Sequence, residues 1–432
     1  MKNKIVFFLI ISSAFFIRIC NINWDQGLHL HPDERMLIMV AGRINFFSNL
    51  NPDFFNYGSL PIYLLRLIVP NGNYDSLLTA GRILSVGFDL LTIILIYKIG
   101  QLLFKKSKIS LLSSLLYAVA FFPIQNSHFF VVDVLLNTFI TGLIYMLLVY
   151  LNSPSIKKII ILSLIFAAMM ATKFTAIIFF PIIISVILWK TMKQWNPPSS
   201  RLRRTSNLII SLITFNLSLL TFYFFFMPYA FIENIRFIAD IKAQLKMNSN
   251  PYIFPYTLQY VGSLPYLYYL KNIFFWGLGP IISILSLIGL GLLSLRMKRG
   301  NFFLFLIFYI LYFLIVGRSA VKFMRYMLPL YPFFTILAGY GFYQVYKFYK
   351  LFFYPLLFLC LLWSFMFTNI YSFPHTRISA TDWILKNIPK GSTLAVEHWD
   401  DRLPLYRNEN YKFKELTLYD QPDDETKWQV LN

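Results

Sequence analysis

The chain is written in long apolar blocks separated by short polar breaks. Reading in order, the blocks fall at about 5–22, 77–99, 109–123, 131–150, 159–172, 174–189, 207–227, 273–295, 301–316, 325–346 and 351–370, about eleven in all. Most are long enough to cross a hydrocarbon core as a helix. The fifth, sixth and ninth are short and Lys173 separates two of them, so the count is open by one or two. The breaks alternate in charge. Lys2 and Lys4, Lys105, Lys106 and Lys108, Lys157 and Lys158, the stretch 190–204, the stretch 296–299, and Lys347 with Lys350 all fall on one face. An excess of Lys and Arg marks the cytoplasmic side, which puts the N-terminus inside and the C-terminus outside. None of the Asp and Glu residues lies in a loop of the basic face, and His29, His31, His128, His375 and His398 all lie on the other. Any chemistry therefore faces outward.

Three outer segments are long enough to fold: 23–76, 228–272 and 371–432, the last an appendage to a membrane domain spanning 1–370 that reads as the start of a soluble domain. In the first, Glu34 to Phe47 predicts an interfacial helix with Met36, Leu37, Val40, Ile44 and Phe47 on its apolar face. In the second, Phe231 to Leu245 predicts a similar helix, followed by an aromatic run over 252–269. In the third, Ser379-Ala380-Thr381-Asp382 resembles a capping box opening a short helix through Ile388, with Trp383, Ile384 and Ile388 as its apolar face, and Thr393 to Val396 reads as a strand. This small α/β piece should fold back on the outer loops.

Composition sharpens this picture. With 57% hydrophobic residues, 13% charged residues and mean hydropathy +0.60 in 432 residues, the chain is too apolar for a soluble domain and reads as an all-α polytopic membrane protein of the cell membrane. The net charge of +20 sits in the short topogenic clusters, which argues against nucleic acid as a partner. Cys20 and Cys360 lie in or beside apolar blocks and indicate neither a disulfide framework nor a thiolate metal site. The first block lacks a small-residue processing site and is expected to stay on the chain.

The candidate chemistry begins just past the first block, at His31-Pro32-Asp33-Glu34-Arg35. Acids beside a membrane are costly and usually mark a substrate path, an ion site or a catalytic group. The competing reading is that they favour a helix N-terminus after proline. Asp133 opens the fourth block among large apolar residues and should be buried and partnered, either for function or in a structural hydrogen bond between helices. Asp89, inside the second block, reads as part of a packing network.

These motifs, taken in order, resemble the membrane glycosyltransferases of the C-type (GT-C) fold, in particular the group that includes the dolichyl-phosphate-mannose protein mannosyltransferases and the lipid A aminoarabinose transferases. The resemblance rests on His31-Pro32-Asp33-Glu34, the run Asn51 to Leu64 containing Tyr57-Gly58-Ser59-Leu60-Pro61, Gly81-Arg82-Ile83-Leu84-Ser85, His128 and Asp133, Ala171-Thr172-Lys173, and Arg325-Tyr326-Met327-Leu328-Pro329. It implies transfer of one sugar from a polyprenyl-phosphate donor (dolichyl or undecaprenyl) to a lipid, glycan or protein hydroxyl at the outer face, with inversion. It implies Asp33 as general base, Glu34 at acceptor or sugar hydroxyls or holding the loop, and Asp133 facing that pair. A lipid-linked sugar also needs a cation for the leaving phosphate. Arg325 leads, with Arg318, Lys322, Arg82 and Lys173 behind it. Snorkelling to headgroups is the alternative for each. His31, His128 and Tyr57 complete the candidate substrate-binding set. The aminoarabinose branch carries a Lys where this chain reads Tyr57-Gly58-Ser59, which fits a neutral sugar better.

No cofactor is certain. A divalent metal held by His31, Asp33, His128 and Asp133 stays open, although no segment has compact ligand spacing. His398-Trp399-Asp400-Asp401 invites a catalytic or acceptor-contact reading with nothing to fix it against a substrate. An oligosaccharyltransferase or glycan polymerase is the alternative enzyme. A transporter would need matched halves or broken mid-membrane helices, and the sequence offers neither.

Overall fold

The computed structural model describes residues 2–194, 201–296, 301–397 and 401–416. His398 and Asp400 lie outside them. Helix α1 (Lys2–Ile19) leads into the first long loop, which carries α2 (Pro32–Arg43) and α3 (Leu60–Ile68). Then follow α4 (Tyr74–Phe104), α5 (Ser107–Ala118), α6 (Phe121–Ser127), α7 (Val132–Asn152) and α8 (Ile156–Met170). A 3-10 turn at Phe174–Phe179 enters α9 (Phe180–Gln194), and α10 (Arg201–Phe226) leads to the second long loop with α11 (Tyr229–Ile232), α12 (Asn234–Ser249) and α13 (Leu267–Asn272). The remainder is α14 (Pro280–Arg296), α15 (Asn301–Val316), a 3-10 segment at Met324–Leu330, α16 (Tyr331–Phe348), α17 (Lys350–Thr368), α18 (Thr376–Asn387), and strands β1 (Thr393–Glu397) and β2 (Lys412–Leu416).

Every apolar block coincides with a helix, yet their lengths differ. Among the described residues, five helices are long and apolar enough to cross a membrane, rising to seven when two bent pairs count as single spans: α5 with α6 at 58°, and 267–277 with 280–294 at 119°. The α15 segment is a shorter apolar helix. Close packing uses small residues. A Cβ on Gly289 would lie 2.0 Å from the Leu337 carbonyl oxygen and one on Gly341 2.2 Å from that of Leu285, so α14 and α16 touch backbone to backbone. Buried charge sits inside the bundle too. Arg18 on α1 pairs with Asp89 on α4 at 2.6 Å, and the Tyr117 hydroxyl donates to the same carboxylate at 2.6 Å. The packing-network reading of Asp89 thus has named partners.

The first long loop has its own small core. Leu37, Ile38, Val40, Ala41 and Ile44 pack with Ile62, Leu65, Leu77, Leu78, Phe130 and Val132. This corrects the expected helix of residues 34–47 in two ways. The helix starts at Pro32 and stops before an extended Ile44, and its buried face excludes Met36 and Phe47, both exposed. A tight turn across Asn45–Asn49 carries Phe47 into the open. The helix cap is also not the acid pair: the His31 side chain accepts the Glu34 N–H, with Asp33 and Glu34 in the first turn.

The second loop breaks at Glu233, which separates α11 from α12, so the piece expected as one helix is two. α12 is fastened to the first loop where Arg236 pairs with Asp53 and Glu233 accepts from Asn51. After α17, helix α18 begins at Thr376 and not at Ser379, because His375 is the cap and accepts the Arg377 N–H. Trp383 is exposed, while Ile378 and Thr381 are buried. β1 and β2 pair in parallel, Thr393 opposite Lys412 through Glu397 opposite Leu416. The piece rests on the first long loop and the end of α6: the His375 ring lies 5.4 Å from Trp24, Tyr371 stacks on His128 at 4.0 Å, and Asp401 pairs with Arg35.

Candidate active site

Asp33 leaves the first turn of α2 half-buried and meets two groups from distant segments. The Arg325 guanidinium lies 2.6 Å from Oδ2, and the Tyr57 hydroxyl donates to Oδ1 at 3.2 Å. Arg325 also approaches the second acid, with Nε 3.7 Å from Asp133 Oδ2. The Lys173 Nζ completes the row, 2.8 Å from Asp133 Oδ1 and 4.3 Å from the Tyr326 ring centre. Two carboxylates and two cations thus alternate across four elements: α2, α7, the end of α8, and the 3-10 segment before α16. The Tyr326 hydroxyl donates to Asn248 Oδ1 at the end of α12, and the Asn248 carbonyl accepts from Ala320 and Val321.

Local sequence explains why these parts converge. Gly58 N–H donates to the Thr172 carbonyl and Leu60 N–H to that of Ala171, which docks the first loop on the end of α8. A Cβ at Gly58 would stand 1.9 Å from the Ala171 oxygen, so only glycine allows this approach. The contact sets Tyr57 beside Lys173. Proline at 329 follows Arg325 within a 3-10 segment, before the α-helical Tyr331 to Phe348.

Next to the row opens a cavity of about 360 Å³. Its walls are mostly apolar, with Phe174, Ile178, Ile241, Leu245, Ile315 and Val316 among them, and its polar end carries Tyr57, Lys173, Tyr326 and Asn248. An apolar slot whose lining includes one cation, Lys173, next to the Asp33–Arg325–Asp133 row can hold an amphiphile with an anionic head.

Other candidates go elsewhere. Glu34 points away from Asp33 into a buried cluster, 2.7 Å from Arg82, and accepts the Phe130 N–H at 2.7 Å. Arg82 grips Asp25 as well, through two bonds of 2.9 Å, and packs over Trp24. Glu34 and Arg82 therefore hold the loop, and neither reaches the Asp33 row. Burial raises the Glu34 pKa against the pull of Arg82, whereas for Asp25 the burial cost is outweighed by Arg82 and by the amides of Leu30 and Gly27, so its pKa falls. Sequence reasoning missed Asp25, an ordinary-looking loop acid whose only signal was its closeness to Trp24.

His128 and His31 both make contacts within the fold. His128 is buried, with Nδ1 2.8 Å from the Ile124 carbonyl and Nε2 3.1 Å from that of Cys20. His31 uses Nδ1 as the cap of α2 and lies against Phe129, and burial pushes its pKa down to about 4, which keeps the ring neutral. With His31 Nδ1 and both His128 nitrogens committed and both acids facing cations, the residues offered for a divalent metal do not fit one. Among the described residues no three His, Cys, Asp or Glu side chains gather around a metal position. Arg318 is exposed on the turn after α15, and buried Lys322 donates to the Ala320 carbonyl at 2.9 Å. Asp401 is held by Arg35 and Arg377, away from the Asp33 row.

Residues 72–220 match the family model for dolichyl-phosphate-mannose-protein mannosyltransferase. No curated protein sequence matches the chain. Among solved structures, the oligosaccharyltransferase AglB of Archaeoglobus fulgidus, in complex with an inhibitory peptide and a dolichol-phosphate, gives a TM-score of 0.60 at 13% identity over 90% of this chain and 58% of its own. ArnT from Cupriavidus metallidurans gives 0.59 at 14% identity in the apo state, over 97% of this chain and 86% of its own. Bound to undecaprenyl phosphate, it gives 0.57 at 14% identity over 98% and 87%. The chain thus spans little more than half the length of AglB, and at these identities the likeness establishes a shared fold.

Proposed function

We propose, from the premise that the chain is a membrane protein of the C-type glycosyltransferase fold, that it moves one sugar from a polyprenyl-phosphate donor to an acceptor hydroxyl at the outer membrane face. The observation that carries this reading is the Asp33–Arg325 ion pair beside the polar end of an apolar cavity. The polyprenyl tail would lie in the cavity, and the donor phosphate would compete with Asp33 and Asp133 for Arg325 and Lys173. Binding therefore loosens the hold of Arg325 on Asp33 and leaves its carboxylate open to the acceptor hydroxyl. Asp33 takes the hydroxyl proton as the acceptor oxygen attacks the anomeric carbon. The bond to the phosphate oxygen breaks with its electron pair going to the phosphate, where Arg325 and Lys173 meet the growing charge. One in-line displacement inverts the anomeric centre. Tyr57 orients Asp33 by its hydrogen bond, and burial holds the phenol well above its ordinary pKa, so it acts as a neutral donor. This assignment uses the outward orientation read from the basic loops, with the N-terminus in the cytoplasm.

Removing the guanidinium tests the phosphate contact. A hydrogen bond to a charged group contributes about 1.5–3 kcal/mol, so Arg325→Ala should weaken polyprenyl-phosphate binding by roughly ten- to a hundredfold while the protein still folds. Titration of purified protein in nanodiscs with undecaprenyl phosphate measures this directly. Unchanged affinity in a folded variant contradicts the contact. A preassembled glycan is the second reading, favoured by the fold shared with AglB. Product mass separates addition of one sugar from addition of several.

A further inference from the structure

Three consecutive side chains at the start of α2 enter three different networks. Successive helix positions turn by about 100°, so Asp33, Glu34 and Arg35 leave the same turn on three sides. Asp33 faces Arg325, Glu34 is buried on Arg82, and Arg35 reaches the C-terminal piece, where its NH1 and NH2 lie 2.8 and 2.6 Å from the two oxygens of Asp401. The apolar core fixes the body of α2, and the side-chain ties of its first turn set the rotation of that turn. The Arg35 tie adds a third constraint to that rotation.

Asp401 is itself held from the other side. Arg377, in the first turn of α18, lies 3.3 Å from Oδ2, and the guanidinium of Arg35 lowers the Asp401 pKa further than burial raises it. The surrounding unit is cross-tied. Leu405 N–H donates to Thr381 Oγ1, and the Tyr411 hydroxyl donates to the carbonyls of Ile384 and Ile388. A polar cavity of about 360 Å³ lies along this contact, with Leu28, Leu30 and Arg35 on one wall and Glu397, Asp401 and Arg402 on the other. Arg35 and Asp401 are each about one third exposed, so the pair adds little to global stability. Its bidentate geometry gives direction where its energy is small.

We propose that the Arg35–Asp401 pair makes the C-terminal unit a positioning element for Asp33, setting the rotation of the first turn of α2 against the donor. This rests on the reading of Asp33 as the general base. The pair touches no substrate and acts through the helix.

The test is a double-mutant cycle of Arg35→Gln, Asp401→Asn and the double variant, with Asp33→Asn measured in parallel on the full chain in nanodiscs. Displacement of a base by a fraction of an ångström costs rate and not affinity, so each single variant should lose roughly tenfold in kcat with donor KM within about twofold. The thermal midpoint should hardly move, and the double variant should be no slower than either single one. Full kcat in Arg35→Gln, or losses that multiply in the double variant, overturns the proposal. Loss confined to thermal stability overturns it as well. If Asp33→Asn stays active, the base assignment itself fails; if that variant is inactive while Arg35→Gln keeps full kcat, only the coupling fails.

Discussion

Asp33→Asn should lower kcat by about 10²- to 10⁴-fold, the usual contribution of a positioned general base. The substitution keeps the shape of the side chain and an oxygen able to accept from Tyr57, and it removes only the basicity and the charge facing Arg325. Because the carboxylate no longer competes for that guanidinium, donor binding should be equal or tighter. The signature is therefore a split, with turnover lost and affinity kept, read from initial rates at saturating donor and from phosphate-lipid titration on the same protein. A variant with near-normal turnover sinks the role of Asp33. One that loses turnover and donor affinity together points to a misfolded loop.

The largest stability effect should come from Arg82→Ala. Arg82, Asp25 and Glu34 are almost fully buried and bonded to one another. Deleting the cation leaves two carboxylates without a counter-charge, and breaking a buried pair in this way costs about 3–5 kcal/mol. Thermal unfolding in detergent should show a strongly lowered midpoint. Arg82→Lys should fall between, since one ammonium cannot reproduce the forked contacts to both acids. An Arg82→Ala protein that melts with the wild type would show that the first loop is held by its apolar core alone.

The helical membrane architecture was legible because burial against lipid leaves a block-by-block imprint that needs no tertiary knowledge. The breaks within the apolar blocks were not, because a bend such as that between α5 and α6 depends on packing and leaves little trace in hydropathy. Asp33, Asp133, Lys173 and Arg325 could be nominated as outward charged residues beside apolar blocks. Their division of labour could not. Asp33 and Glu34 are neighbours in sequence, and only the helix beginning at Pro32 sends one to Arg325 and the other to Arg82. His128 reads by residue type as a candidate substrate contact or metal ligand; in the fold two backbone carbonyls meet its ring nitrogens, and such contacts carry no sequence signature. The same holds for Arg35 and Asp401, which stand 366 positions apart and meet through the fold of the C-terminal unit.

The central claim concerns where the lipid-linked phosphate sits. A structure of the protein in nanodiscs with undecaprenyl phosphate tests it most directly. The tail should run along Phe174, Ile178, Ile241 and Val316, with the phosphate in charge-assisted hydrogen-bond contact with Arg325 or Lys173 and the Asp33 carboxylate released from Arg325. A phosphate bound away from both cations, with the Asp33–Arg325 pair intact and the cavity empty, would contradict the account.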